Sequence, residues 1–142
     1  MRPIDIAKKL NLEPHPEGGY YRRIYCNEIK QDGKRGLASS IYYLLEGGRQ
    51  TRWHKTDGDE LWLWHAGSPL QLSMSTTDTG PVTTLMLGAN IFGDEHPQLL
   101  VLANHWQAAQ VDGLWALVSC VVSPEFSFDT YVMADEGWSP KP

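Results

Sequence analysis

Cysteine is scarce in this chain, with only Cys26 and Cys120 among 142 residues. Two cysteines are too few for a disulfide framework, and these two lie too far apart in sequence for a zinc knuckle. We therefore expect both to be reduced, buried and small hydrophobic in character. Cys120 lies in the apolar run WALVSCVV, where a catalytic thiol would need a neighbouring base that sequence alone does not reveal.

Long apolar runs and an excess of positive charge are also absent. No 18 consecutive residues are apolar, so the sequence predicts no transmembrane helix. The opening residues MRPIDIAKKL lack the apolar core of a secretory signal and carry an early acid. Asp and Glu number 17 against 12 Lys and Arg, a net charge of −5, which argues against a nucleic-acid partner or an anionic membrane surface. We expect a cytoplasmic protein.

The chain has the length of one domain, and its pattern begins with a short helix. With 142 residues it can bury about two thirds of the surface that the unfolded chain exposes, so we expect a single domain over residues 1–142. Pro3 suits a first helical turn, Ile6 and Leu10 are four apart, and two prolines follow as breakers. These features predict a helix over residues 3–11.

From Tyr20 onward, short runs of aromatic and β-branched residues alternate with glycine-containing turns, a pattern typical of strands. The predicted strands cover residues 20–26, 38–45, 50–54, 60–65, 69–75, 82–87, 98–103, 105–111, 114–122 and 129–133. Asp112 and Gly113, between two of these strands, form the strongest hairpin signal in the chain. Short strands at these intervals, without helical periods, predict an all-β sandwich or barrel.

Several predicted strands are apolar on both faces. The runs are IYYLL at 41–45, LWLW at 61–64, LLVLA at 99–103 and LVSCVV at 117–122. Strict alternation with polar residues is lost when both sides of a sheet are covered. Covering by a second subunit is the simplest reason, so we predict a homodimer.

One spacing carries most of the functional information. Gly48, His54, Glu60 and Gly67 lie in the stretch GGRQTRWHKTDGDELWLWHAG, which reads G(x)5HxT(x)3E(x)6G. A predicted turn at residues 57–59 separates the histidine from the carboxylate. The two side chains can therefore converge on one metal ion or one substrate.

This spacing, on a β-rich chain of this size, resembles the first motif of the cupin superfamily, G(x)5HxH(x)3,4E(x)6G, with Thr56 in place of the second histidine. The stretch at 102–107 resembles the second motif, with Leu102, Asn104 and Gln107 in place of its proline, glycine and histidine. The segments PHPEGGYYR, SSIYYLL, NHWQAA and SCVVSPEFSFD resemble one small branch of the cupins of unassigned function. The resemblance covers most of the chain and implies a double-stranded β-helix, or cupin jelly roll.

The residues at the motif positions are a poor match to the metal sites of cupins, which use two or three histidines with a carboxylate to hold iron, manganese or nickel. Here those positions offer His54, Thr56, Glu60 and Gln107. One imidazole, one carboxylate and two neutral oxygens are weak ligands for a transition metal. If a divalent metal binds, His54, Glu60 and Gln107 are its candidate ligands, and no other cofactor is expected.

Without a metal, His54 and Glu60 are the candidate catalytic pair. Histidine titrates near neutral pH, and a carboxylate beside it in a partly desolvated barrel can orient the ring or exchange a proton with substrate. Metal-free cupins include sugar-nucleotide epimerases, so the resemblance implies an isomerase or epimerase that acts on a sugar-like or carbonyl-bearing small molecule. Two alternatives stay open. One is a non-catalytic binding or sensing module, and the other is a metal-dependent oxygenase.

Three residues of the two motif regions are candidate substrate contacts. Gln107 would orient a substrate oxygen, and Thr56 replaces a histidine of the motif. Trp64 shares the predicted strand face of Glu60, where its ring would pack on a planar or sugar-like ligand.

Two candidates lie outside the motifs. Tyr42 is either a core aromatic residue or a phenol near the pocket. Alternation along the first strand allows only one of Arg22 and Arg23 into the barrel, where a guanidinium can bind a phosphate or carboxylate. The pattern leaves that choice open, and we take Arg23 as the candidate.

Overall fold

The computed structural model describes residues 1–27 and 35–142, which form two six-stranded sheets and one short α-helix. The helix α1 covers Pro3–Leu10, in agreement with the prediction. The strands are β1 Glu13–Pro14, β2 Tyr20–Cys26, β3 Ser39–Glu46, β4 His54–Lys55, β5 Asp59–Gly67, β6 Leu70–Ser75, β7 Thr83–Leu87, β8 Glu95–His96, β9 Gln98–Val101, β10 Trp106–Val111, β11 Trp115–Ser123 and β12 Val132–Met133. The predicted all-β jelly roll is confirmed.

The two sheets are joined by repeated crossings of the chain. The first sheet has the strand order β1-β2-β3-β11-β5-β9, and the second has the order β12-β4-β10-β6-β7-β8. Neighbouring strands are antiparallel except β7 and β8. From β8 to β12, each strand lies in the opposite sheet from the one before it, which is the wrapping of a double-stranded β-helix.

The hairpin predicted at Asp112 and Gly113 is wrong. The strands on either side of this turn lie in different sheets, β10 against β4 and β6 and β11 against β3 and β5. Asp112 N–H donates to the Pro69 carbonyl at 2.9 Å, and Gly47 N–H donates to the Leu114 carbonyl at 2.8 Å. The turn is therefore a corner between the layers. Turn chemistry depends only on adjacent residues, whereas pairing here follows from which inner faces pack together.

Two other predicted strands are shorter than expected. In the region 50–54, Gln50 makes a single bridge to Gln110, and a strand begins only at His54. In the region 129–133, a 3₁₀ helix over Phe128–Thr130 precedes the short strand β12.

The main core lies between the sheets, and a smaller one lies under α1. Tyr43, Trp62 and Val118 belong to the main core and are almost fully buried. Ile6 and Ala7 of α1 pack on Leu44, which is on the outer face of the first sheet and has no exposed surface. The helix therefore accounts for part of the two-sided apolar pattern that predicted a second subunit.

Within the part of the chain that the structure describes, no helix has the length and apolar character needed to cross a membrane. The cytoplasmic location stays a prediction.

Candidate active site

A cavity of about 40 Å³ lies between the two sheets, and we call it the chamber. His54 from β4, Glu60 from β5 and Thr56 between these strands all line it. His54 pairs with Gln107 across the second sheet, while Glu60 approaches from the first sheet. The two motif regions thus meet at one place. A volume of this size holds only a few water molecules.

His54 is buried, and the backbone carbonyl of Arg52 sets the orientation of its ring. Nδ1 lies 2.9 Å from the Arg52 carbonyl oxygen. Because a carbonyl only accepts, this geometry assigns the ring proton to Nδ1. Nε2 of the neutral ring then carries a lone pair, and both polar contacts of the ring, to the Arg52 carbonyl and to Glu17, are made by Nδ1. Nε2 is therefore the atom available to a ligand in the chamber.

Glu17 contacts several residues of the site and is not among the site residues predicted from the sequence. Its Oε2 lies 3.3 Å from Nδ1 of His54. The Tyr43 hydroxyl lies 2.9 Å from Oε1 and 2.6 Å from the Gly18 carbonyl oxygen, so its one proton is shared between these two acceptors. Tyr131 donates its hydroxyl to Oε2 at 2.5 Å. A buried carboxylate is costly without such donors. The two phenols therefore hold Glu17 against the histidine.

Glu17 reaches the chamber because the loop before β2 lies directly on β3. Gly19 has a φ of +79°, and a Cβ there would lie 2.6 Å from the Leu44 carbonyl oxygen. Only glycine suits this conformation and this close approach. The paired glycines of HPEGGYYR are the sequence signal that could have indicated Glu17.

His15 lies beside Glu17 in the same wall of the chamber. The backbone N–H of Glu17 donates to Nδ1 of His15 at 3.2 Å, so the proton of the neutral ring is on Nε2. Burial lowers the pKa of His15, an effect that His54 increases and the charge of Glu17 opposes. The two histidines are thus held as opposite tautomers.

The surroundings of Glu60 raise the pKa of its carboxyl group. Burial is the main cause that raises the pKa of Glu60, and the nearby His54 opposes it. Gln107 donates its amide to Oε1 of Glu60 at 2.8 Å, and Trp62 donates its indole N–H to the Gln107 carbonyl at 2.8 Å. Because an indole can only donate, the Gln107 amide has one orientation. Gln107 therefore holds Glu60 by a hydrogen bond. Its amide is already bonded to Glu60 and Trp62, which does not fit the predicted role of orienting a substrate oxygen.

Cys120 behaves as expected for a small buried residue. Burial raises the pKa of its thiol well above the ordinary value, and the neighbouring Glu60 carboxylate adds to this. Neither Cys26 nor Cys120 forms a disulfide, but Cys26 is only partly buried, in contrast to the expectation.

The donors around the chamber do not fit a transition metal. The Gln107 carbonyl is engaged by Trp62, and the Thr56 hydroxyl accepts the Gly58 N–H at 3.0 Å. Of the predicted ligands, only His54 and Glu60 remain. Over residues 1–27 and 35–142, no three His, Cys, Asp or Glu side chains are placed to share a metal ion. Catalytic zinc already requires three protein ligands, so we derive no metal chemistry for this site.

The second motif supports the chamber through its turn. Asn104, which replaces the glycine of the second motif, has a φ of +65°, in the left-handed region. Asparagine tolerates that region better than most residues. Its N–H donates to the Thr56 carbonyl at 2.7 Å, and the turn is thereby tied to the first motif.

Two predicted aromatic contacts lie outside the chamber. Trp64 packs against the main core and donates its indole N–H to the Ser68 carbonyl at 3.0 Å. Tyr42 is on the outer face of the first sheet, where its ring meets His65 edge-on at 6.5 Å. Its neighbour Tyr43 points inward instead. On a strand that is apolar on both sides, the sequence leaves this choice open, and the register with β11 decides it.

The predicted entry of an arginine into the barrel is wrong, because Arg22 and Arg23 are both exposed. Arg23 donates to the Phe126 carbonyl at 2.9 Å and approaches the Glu125 carboxylate at 3.5 Å. It thereby holds the segment after β11 rather than a ligand.

The segment after β11 closes one side of the chamber. Phe126 and Tyr131 line the chamber from this segment. Arg35 fixes it, because its guanidinium donates to the Glu125 carbonyl at 3.1 Å and to Asp57 at 2.7 Å. The hydrogen bond from Arg35 lowers the pKa of Asp57.

Comparisons with known proteins agree with this architecture. The family model described as Cupin superfamily (DUF985) matches residues 4–134. The curated proteins contain no match to this sequence. The solved structure of a protein from Shewanella oneidensis is 38% identical, with a TM-score of 0.88 over 95% of this chain and 85% of its own.

Two further structures extend the comparison. A hypothetical protein from Leishmania major is 28% identical, with a TM-score of 0.86 over 97% of this chain and 90% of its own. Oxalate decarboxylase from Bacillus subtilis is 14% identical, with a TM-score of 0.64 over 84% of this chain and 29% of its own. At that identity the similarity is one of fold alone.

Proposed function

Because the chain belongs to the cupin superfamily, in the family described as DUF985, we propose that the chamber accepts the carbonyl end of a small molecule and moves a proton next to that carbonyl group. The protein would be an isomerase or epimerase of a sugar-like or carbonyl-bearing substrate. The observation that carries this proposal is the 2.9 Å contact between Nδ1 of His54 and the Arg52 carbonyl, because it assigns the ring proton to Nδ1 and leaves Nε2 as a base.

The proposed reaction uses His54 as the base and Glu60 as the acid. Nε2 removes the proton from the carbon beside the carbonyl, and the electron pair of that C–H bond forms the double bond of an enediol. The Glu60 carboxyl gives its proton to the carbonyl oxygen in the same step. Its raised pKa favours the protonated form that this step needs.

The return step restores both residues. The second hydroxyl of the enediol gives its proton to the Glu60 carboxylate, and the His54 imidazolium protonates the former carbonyl carbon. Glu17, 3.3 Å from Nδ1, faces the positive charge that develops on the ring. It is a positioning residue that stabilises the imidazolium.

Exchange of substrate hydrogen with solvent tests this chemistry without knowledge of the product. A panel of aldoses and ketoses is incubated with the protein in D₂O, and loss of the C–H signal next to the carbonyl is followed by ¹H NMR. We expect exchange with at least one sugar, none with His54→Ala, and a rate lower by about 10²–10⁴-fold with Glu60→Gln.

The matched control is His65→Ala, because His65 is exposed and bonded to Ser119 outside the barrel. This variant should exchange as fast as the parent protein. Binding without exchange by the parent protein would instead favour the non-catalytic sensing module.

We also propose a homodimer formed through the part of the outer face that α1 leaves open. Leu61, Leu63 and Val121 are half-buried there, and Leu100 and Leu102 are 49% and 48% exposed. An apolar patch of this kind is typical of an interface. Light scattering should give a dimer mass at micromolar concentration and a monomer for Leu100→Glu, whereas a monomeric parent protein would contradict the proposal.

A further inference from the structure

A groove of about 590 Å³ lies outside the chamber, between the loop at 14–20 and the loop at 46–52. Glu136 from the C-terminal segment completes its lining. Neither His54 nor Glu60, the two residues that transfer protons in the proposed reaction, lines this groove.

The groove has the size of a ligand site, and the chamber does not. Small-molecule sites usually measure about 300–1,000 Å³, and the chamber, at about 40 Å³, holds only a few non-hydrogen atoms. His15 and Glu17 line both spaces. A molecule in the groove would therefore lie directly against Glu17, which contacts His54 from the other side of this wall.

The groove offers hydrogen-bond donors and acceptors in balance. Arg49 is exposed and makes no hydrogen bond or ion pair with any residue that the structure describes. Arg52 uses Nε and Nη2 on the Ala134 carbonyl, at 3.0 and 2.6 Å, which leaves Nη1. Glu46 and Glu136 provide carboxylates in the same lining. Hydroxyl groups both donate and accept, so this lining suits a hydroxyl-rich molecule.

The same charges disfavour a strongly anionic ligand. The two arginines are matched by Glu46 and Glu136, and Glu17 adds a third carboxylate to the wall. A phosphate placed between them would face like charges, which costs binding energy. An uncharged sugar meets no such repulsion.

The backbone on one side of the groove also leaves space for a ligand. Gly18 has a φ of +108°, and a Cβ added there would meet nothing within 4 Å. This opening adjoins Glu17.

We propose that the groove binds the hydroxyl-rich, uncharged part of the substrate, of monosaccharide size. Only the carbonyl end passes His15 and Glu17 to reach the chamber. This inference rests on the proposed function, because it assigns the substrate class of the same site.

Saturation-transfer NMR on the full chain tests the proposal. The probes are glucose, galactose, mannose, fructose and xylose, with glucose 6-phosphate as the charged comparison. We expect at least one neutral sugar to bind the parent protein, and His54→Ala and His54→Gln to bind it within about twofold. Arg49→Ala and Glu136→Gln should each weaken binding by about tenfold, the loss expected for a charge-assisted hydrogen bond.

Arg22→Ala is the matched control, because Arg22 is an exposed arginine on the outer face, opposite Tyr42 in the strand register. It should bind like the parent protein, and all variants should show the parent's unfolding midpoint within a few degrees. The proposal is overturned if no neutral sugar binds, if both His54 variants lose binding while the groove variants keep it, or if glucose 6-phosphate binds about tenfold more tightly than glucose. Groove binding without hydrogen exchange would reject the proposed function alone.

Discussion

Hydrogen bonds run from Trp62 through Gln107 to Glu60. Substitution of Gln107 tests whether this residue serves to hold Glu60. Gln107→Leu keeps a side chain of similar size and removes both polar groups of the amide, the carbonyl and the NH₂. It leaves the Trp62 indole N–H and Glu60 Oε1 without their partners, in a region where Gln107 is 1% exposed and Trp62 has no exposed surface. We expect a clear loss of stability.

The size of the loss follows from the two groups left unpaired. Each buried polar group without a partner costs about 1–3 kcal/mol, and burial of the leucine side chain returns about 1–2 kcal/mol. The free energy of unfolding should therefore fall by about 2–4 kcal/mol, a large part of the total for a domain of this size. The pKa of Glu60 should also rise further, because the Gln107 amide now lowers it.

Equilibrium unfolding in urea measures this change. With a slope of about 1–3 kcal/mol per molar, the midpoint should fall by at least about 0.7 M. Gln110→Leu is the matched control, because Gln110 lies on the same strand and is exposed. That variant should stay within about 0.5 kcal/mol of the parent protein.

A loss below about 1 kcal/mol for Gln107→Leu, or an equal loss for Gln110→Leu, would refute this reasoning. Gln107 would then be free to contact a ligand, as the sequence predicts. An unchanged urea slope is required in either case, because a changed slope reports a different unfolded or native state.

Three more predictions concern the ionisable groups of the chamber. Because burial raises the pKa of Glu60 above 4.5, its contribution to stability is complete below that pH and is lost as the pH rises through the folded value. In urea titrations, the stability of the parent protein relative to Glu60→Gln should therefore fall as the pH rises above 4.5, and a constant difference would contradict this. Because burial lowers the pKa of His15 below 6.5, its contribution to stability is complete above that pH and is lost as the pH falls through the folded value. The melting temperature of His15→Asn should therefore fall less with acid below about pH 6.5 than that of the parent protein. Parallel plots of melting temperature against pH would count against a buried neutral His15. Tyr131→Phe removes a donor to the Glu17 carboxylate and should cost about 1.5–3 kcal/mol by urea unfolding, whereas Tyr25→Phe, at a residue that is 51% exposed, should cost almost nothing.

The motif residues could be predicted because their information is local. His54 and Glu60 are six positions apart, and a turn between strands brings such residues together in any barrel of this kind. The same holds for α1, whose ends are determined by Pro3 and by the left-handed Asn11 after Leu10. In these cases short-range spacing and backbone preference are sufficient.

Glu17 could not be identified in this way. Its partners Tyr43 and Tyr131 are 26 and 114 residues away in sequence, so no local pattern places them together. The inward direction of Tyr43 rather than Tyr42 depends on register in a strand that is apolar on both sides. A shift of one residue would exchange the two.

The sequence by itself determined an all-β fold of the cupin type and the meeting of a histidine with a carboxylate. The tertiary structure alone decided that Gln107 bonds to Glu60, that Arg23 lies outside the barrel, and that Glu17 contacts Nδ1 of His54. It also placed Asp112 and Gly113 at a corner between sheets rather than in a hairpin. The reason is the same throughout, because these outcomes depend on which faces pack against each other across the barrel, and that packing joins residues that are far apart in the chain.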